Sequence, residues 1–422
     1  MLKKHLLTTA GLVTIFAFAA TGCSSSDGGG DGNGELEFWS FTGIGQKDDV
    51  DKYLADHPDA KIKLTEVGSS QETAQALTTA LAGGKVPDLV LIQGEDMPKF
   101  VENAHNFVDL NTLGAGDIED DYVPWIYGQA TSRDGETIGI PTDAGGLAMA
   151  YRADLFEAAG LPSEPDDVTA AWSTWDDFIE FGEEYVAATG KPFLDNVSTS
   201  VFFATVNQVS EQYYSPDGEV VFDTNPQVKE AFDVAVKAYE AGIGAELPAF
   251  SSGWTAGKGK GDYAAMTAPS WMLSSFKNDA PNTEGKWRVV AVPGVAGNWG
   301  GSYLAIPKRA ENPKAAWEYI KAMQSPEAQL AKFNEAGSLP TTVSSLAAPD
   351  MQEYTDDFFG DSKIGAVMSD SITQFQPFWT GPDVGAIGTG LMNALMTMED
   401  GGITPDKAWD TALSNVNQAL GK

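Results

Sequence analysis

Apolar positions along the chain switch between the periods of a strand and of a helix. Leu36-Glu37-Phe38-Trp39 reads as a first strand, and residues 46–55 place Val50, Tyr53 and Leu54 on one helical face before His57-Pro58 stops them. Ile62 to Val67 alternates as a second strand, and residues 71–81 form a second helix ended by Gly83-Gly84. The continuously apolar Leu89-Val90-Leu91-Ile92 suits a strand covered on both faces. Such steps predict an α/β fold with a mainly parallel sheet. Ligand-binding loops then begin where these strands end, at Ser40, Gly68 and Gln93. Farther on, Arg133-Asp134-Gly135 marks a turn before a strand over 137–141, and Leu147 to Tyr151 resumes as another. Thr142–Gly146 between them is expected to cross from one lobe to a second, with a return crossing near Gly300-Gly301. Residues 173–187 and 226–241 read as helices with apolar stripes. Asn312-Pro313 and Ser325-Pro326 read as helix caps.

The first residues have the zones of a secretory signal: Lys3 and Lys4, an apolar run from Leu6 to Ala20, then small residues before Cys23. That run, about 15 residues, is shorter than the roughly 20 a spanning helix needs. Ala20-Thr21-Gly22-Cys23 resembles a bacterial lipobox, departing from it by Ala20 where leucine is usual. The expectation is a signal peptide over 1–22, lipid attachment at Cys23, and a flexible Ser/Gly/Asp tether over 23–34. The protein is then exported and held by lipid alone to the outer face of the cytoplasmic membrane. Cys23 is the only cysteine among 422 residues, so no intramolecular disulfide is possible and stability must come from a large core, divided between two lobes. With 60 acidic against 26 basic residues and a formal net charge of -34, the chain lacks the basic face that nucleic-acid binding requires.

Several segments, in order, carry a resemblance to a known family. They are Leu36–Trp39; Val86-Pro87-Asp88-Leu89-Val90; Ile138–Pro141 followed by Ala148–Arg152; residues 261–271, GDYAAMTAPSW; residues 299–306, WGGSYLAI; Asn312–Trp317; Ser325–Gln329; and Gly337-Ser338-Leu339-Pro340. Together they resemble the extracellular solute-binding proteins of carbohydrate ABC importers, the maltose-binding group in the broad sense. The resemblance implies a two-lobed periplasmic-binding-protein-like fold with a hinged interlobe cleft. Lobe 1 is expected over 35–143 plus about 302–342, and lobe 2 over 144–301 plus about 343–422. It further implies a monomer that takes a carbohydrate ligand, delivers it to permease subunits, and uses no cofactor and no metal.

Sugars offer C–H patches ringed by hydroxyls, so their sites combine flat aromatic faces with planar polar groups. Of the 11 tryptophans, Trp125, Trp172, Trp175, Trp317 and Trp409 are expected in the core. Trp39 ends the first strand, while Trp271, Trp299 and Trp379 are placed at the cleft mainly by the resemblance; Trp254 is open to either reading. Gln93, Glu95, Asp96, Asp143 and Asn196, with Gly300 at the return crossing, complete the expected site. Asp96 could instead cap the helix that follows, and Asp143 could be a hinge-turn residue. The implied mechanism is closure: a ligand touching both lobes favours the closed form.

An enzyme is the rival class. Beyond the signal, only His57 and His105 remain, and G-x-S-x-G, C-x-x-C and P-loop patterns are absent. A carboxylate pair for glycoside hydrolysis stays open as an alternative. So does capture of a polyamine, for which aromatics and carboxylates are also suitable.

Overall fold

The computed structural model describes residues 34–422 apart from Val295; the signal segment, Cys23 and the tether to residue 33 lie outside the described residues. Strands β1 (Leu36–Ser40), β2 (Ile62–Glu66) and β3 (Leu89–Gln93) are parallel, with β1 between the other two. Their helices are Gln46–Asp56 and Ser70–Gly83. Ser69 caps the second of these reciprocally with Glu72, which satisfies two otherwise orphaned backbone N–H groups.

The sheet is not mainly parallel beyond this point. Thr142–Gly146 is not a loop: residues 139–152 form one continuous strand, β4 (Gly139–Arg152). Strands β5 (Ala265–Pro269) and β6 (Trp287–Ala291) both pair antiparallel with its second half. Strand β7 (Asn298–Ala305) runs antiparallel to its first half and also to β3. The β4/β7 ribbon thus carries the chain from one half of the sheet to the other. Register shifts between Pro141 and Asp143 and between Ala144 and Gly146 bend it, as bulges do. Close approach at this ribbon needs glycine: a Cβ on Gly145 would lie 1.8 Å from the Trp299 carbonyl oxygen. One on Gly301, at φ +98°, would lie 2.7 Å from that of Asp143.

Alternation along the strands distributes the core. Leu89 and Leu91 face one layer with Phe38, Ile140, Leu304, Trp317 and Ile320, whereas Val90 and Ile92 face the opposite layer with Met97, Phe100 and Tyr303. In the second half, Leu147, Met149 and Tyr151 point into a helical layer built around Trp172, Phe178, Phe193 and Phe232. Ala148 and Ala150 point the other way, toward Met266, Val289, Met368 and Ile372. Helices Trp175–Thr189 and Pro226–Glu240 lie close to where their stripes predict. Ser325 caps helix Pro326–Ala336 as expected. Asn312 does not cap helix Pro313–Met323 through its side chain; its backbone N–H and its amide are taken by the Asp88 carboxylate at 2.7 and 3.2 Å.

Candidate functional site

A cleft crosses the molecule beside the β4/β7 ribbon, in three sections joined through shared walls. The central section lies between Gly94, Glu95, Pro98 and Gln129 on one side and Phe202, Phe203, Asn207 and Tyr213 on the other. Glu95 connects it to a polar section with Gln71, Gln93, Asp96, Lys99, Asn393 and Gln418. Gly300 connects it to an aromatic section with Phe41, Asp143, Trp271, Trp299 and Lys332, which Gln93 joins to the polar one. The polar and aromatic sections hold about 800 and 470 Å³, the scale of small-molecule sites, about 300–1,000 Å³.

The aromatic corner is built by hydrogen bonding as well as packing. Trp271 opens helix Ser270–Asp279 directly after β5, and its indole N–H donates to the Trp299 carbonyl at 2.8 Å. This fixes the ring and leaves it 38 % exposed. The Trp299 ring meets it edge-on at 5.8 Å and meets Phe203 at 4.8 Å. Phe203 ends a six-residue π-helix, Ser198–Phe203, a rare geometry that recurs at functional sites.

Carboxylates line the same cleft. Asp143 projects from β4 with the Thr142 hydroxyl 2.7 Å away; desolvation raises its pKa, against that hydrogen bond and the Lys332 charge. Glu95 still opens to the cleft at its surface, yet the walls around it desolvate it and raise its pKa, and Asp96 adds to the rise. Desolvation also raises Asp96, with Lys99 opposing. Asp96 makes no side-chain cap to the helix that follows, so the capping role is not realised.

Of the expected residues, the structure brings together Gln93, Glu95, Asp96, Asp143, Trp271, Trp299 and Gly300. Four lie elsewhere. Trp39 is half-buried, packed against the layer that holds Val90, Ile92 and Tyr303; β1 ends at Ser40, and Phe41 just beyond it belongs to the opposite layer and lines the cleft. Asn196 is wholly buried: its amide donates to Asp195 and the Leu247 carbonyl, and its oxygen accepts from Ser198 and Thr199 at the start of the π-helix. Trp254 is core, its indole N–H on Asp195 at 2.7 Å and Lys258 3.9 Å over its ring. Trp379 lines a flanking recess with Trp125, Phe375 and Phe378, and the Arg133 guanidinium covers its face at 4.2 Å. Phe41, Gln129, Phe203 and Tyr213 were not signalled by the sequence pattern. Phe41 lies just past the end of β1 and in the layer opposite Trp39, so strand alternation does not find it, and a π-helix defeats the 3.6-residue period that would have exposed Phe203. Among the described residues, no cluster of three or more His, Cys, Asp or Glu is placed to hold a metal, and no helix is long and apolar enough to cross a membrane.

One open sheet, bent at an antiparallel ribbon and crossed there by a cleft of small-molecule size, defines the two-lobed solute-binding fold. The chain belongs to the family of bacterial extracellular solute-binding proteins, whose match covers residues 50–359; the family is one of exported proteins. A crystal structure of an extracellular solute-binding protein of family 1 superposes with a TM-score of 0.83 at 30 % identity, over 91 % of this chain and 99 % of that one. A lactose-binding protein of Rhizobium radiobacter is 24 % identical over 376 residues, 81 % of this chain and 82 % of its own. An ABC transporter associated binding protein from B. animalis subsp. lactis Bl-04, solved with β-1,6-galactobiose, superposes with a TM-score of 0.71 at 23 % identity, over 91 % and 98 % of the two chains. The two named for a ligand or transporter are binding proteins.

Proposed function

We propose that the protein captures an uncharged oligosaccharide in this cleft and delivers it to the permease of an ABC importer. The observation that carries the reading is the fixed Trp271–Trp299 corner standing beside Asp143 and Gln93. Aromatic faces there stack on C–H patches while the carboxylate and amide take hydroxyls, with charge-assisted strength for the carboxylate. The similarity to a lactose-binding protein and to a galactobiose complex supports it. Trp271, Trp299, Gly300, Gln93, Glu95, Asp96 and Asp143 are assigned to ligand contact, and the more distant rings imply room for more than one sugar unit.

Delivery works through closure. With lobe 1 taken as 35–143 plus about 302–342 and lobe 2 as the remainder, Arg133 of lobe 1 reaches lobe 2 twice. It donates to the Pro216 carbonyl at 3.2 Å and covers Trp379. This pair acts as a latch at the cleft's end, and a ligand held by both walls adds to it. The protein works as a monomer, tethered by lipid on Cys23. Replacing that residue, Cys23→Ser, is expected to release the protein from the cell surface into the medium or periplasm and to abolish incorporation of labelled palmitate; unchanged membrane retention would contradict the anchor. Binding itself is tested by titrating the purified protein with lactose, β-1,6-galactobiose and arabino-, malto-, cello- and xylo-oligosaccharides, following tryptophan fluorescence and assaying for cleaved product. Saturation without product supports the reading; product means a glycoside hydrolase, and response to polyamines alone means a cation-binding protein.

A further inference from the structure

Phe250 lies at the tip of the turn before helix Ser252–Lys260, a turn closed by the Ser251 N–H on the Pro248 carbonyl at 3.1 Å. Two features set it apart. Its ring is 60 % exposed, the largest value for a bulky apolar side chain among the described residues. Its φ is +66°, and Glu246 on the same loop, at +55°, is the other described non-glycine residue with positive φ. The third position of a turn with positive φ ordinarily takes Gly or Asn. A phenylalanine there carries backbone strain that burial of its ring does not offset, and strain of this sort gathers at ligand clamps.

The ring is aimed at the aromatic corner. It lies 13° from parallel to Trp271 with centroids 6.4 Å apart, and it meets Trp299 nearly edge-on at 6.2 Å. Beneath it, at 5.3 Å, is Trp254, itself fixed by Asp195 and Lys258. One wall is therefore anchored, since Trp271 is hydrogen-bonded to the hinge strand, while the facing ring stands on an exposed turn.

We propose that Phe250 is the outer jaw of a clamp whose inner jaw is Trp271, and that it determines specificity for the sugar unit held at this end of the cleft. The assignment rests on the carbohydrate-binding reading and deepens it. Carbon contacts of about 3.5–4.0 Å on both faces of a pyranose need roughly 7–8 Å between the aromatic planes. The ring planes can stand no farther apart than their 6.4 Å centroid distance, so Phe250 moves outward by at least about 1 Å when a ring is admitted, and otherwise shields the Trp271 face.

The test compares Phe250→Gly, Phe250→Asn, Phe250→Leu and Phe250→Tyr with the parent, by calorimetric titration with the tightest-binding sugar of the panel above and by thermal unfolding. Gly and Asn suit the backbone, so those variants are expected to melt no lower than the parent. They and Leu, which is apolar but not flat, are expected to lose at least about tenfold in affinity, while Tyr stays within about threefold. If the parent binds and the Gly, Asn and Leu variants bind equally well, the clamp is wrong and the carbohydrate reading stands. If the parent binds none of the sugars, both fall.

Discussion

Single residues divide between those that touch the cleft and those that hold its walls, and the two groups predict different measurements. Trp271 is a flat, fixed, half-open face, so Trp271→Ala is expected to cost about 2 kcal/mol of binding, more than tenfold in Kd, with little change in melting temperature. Equal affinity in calorimetry would remove it from the site. Asp195 belongs to the other group. It is buried and accepts from the Trp254 indole and from Asn196, yet desolvation pushes its carboxyl up to about 7, with Glu399 adding to the rise. An acid whose folded pKa lies above its unfolded value binds its proton more tightly when folded. Its contribution to stability is therefore greatest below the unfolded pKa, near 4, and is lost as pH rises to about 7, by at most about 1.4 kcal/mol per unit. Asp195→Asn keeps an acceptor for Trp254 and should flatten this part of the pH dependence; parallel melting curves for parent and variant from pH 4 to 8 would contradict it. Residue type alone did not separate these groups. Trp39 and Trp271 both end or follow apolar stretches, yet Trp39 packs against a core layer and Trp271 faces the cleft, while the hydrogen bond to Asp195 holds Trp254 inside.

At the scale of elements, the proposed closure assigns control of opening to the β4/β7 ribbon and to the Arg133 contacts with Pro216 and Trp379. Gly301→Ala places a Cβ 2.7 Å from the Asp143 carbonyl oxygen at a φ of +98°, a strain of about 1–3 kcal/mol. It should lower the melting temperature and weaken ligand binding together; a variant with parental stability would show that the ribbon relaxes freely. Arg133→Ala removes a cation–π contact worth about 0.5–2 kcal/mol. The expected result is a larger radius of gyration without ligand in solution scattering and a several-fold higher Kd, whereas an unchanged scattering profile would remove the latch. The helices and strands of the first 60 described residues were legible because period and stop signals agree there. The joining of 137–141 and 147–151 into one strand was not, since Thr142–Gly146 carries the glycines of a turn. Gly145 instead admits β7 at a backbone separation no side chain would allow, and Gly146 admits the Met368 carbonyl and the Leu339 side chain. The same misreading hid the antiparallel half of the sheet.

For the whole molecule, the family membership and the two-lobed fold agree with the sequence motifs, whose order and spacing mark scaffold as much as site. Helices Pro313–Met323 and Pro326–Ala336 pack Trp317, Ile320 and Phe333 into the core and lie away from the cleft walls apart from Lys332 and Ala336. A formal charge of -34 spread over the chain favours solubility of an exported protein, while the cleft itself sets Glu95, Asp96 and Asp143 against Lys99 and Lys332. The central claim is that the cleft takes a sugar and returns it unaltered. Titrating the purified protein with the oligosaccharide panel, with tryptophan fluorescence and product analysis on the same samples, tests this most directly: the account predicts saturable quenching or enhancement with at least one sugar and no product. Silence toward every sugar, or release of shorter saccharides, would contradict it.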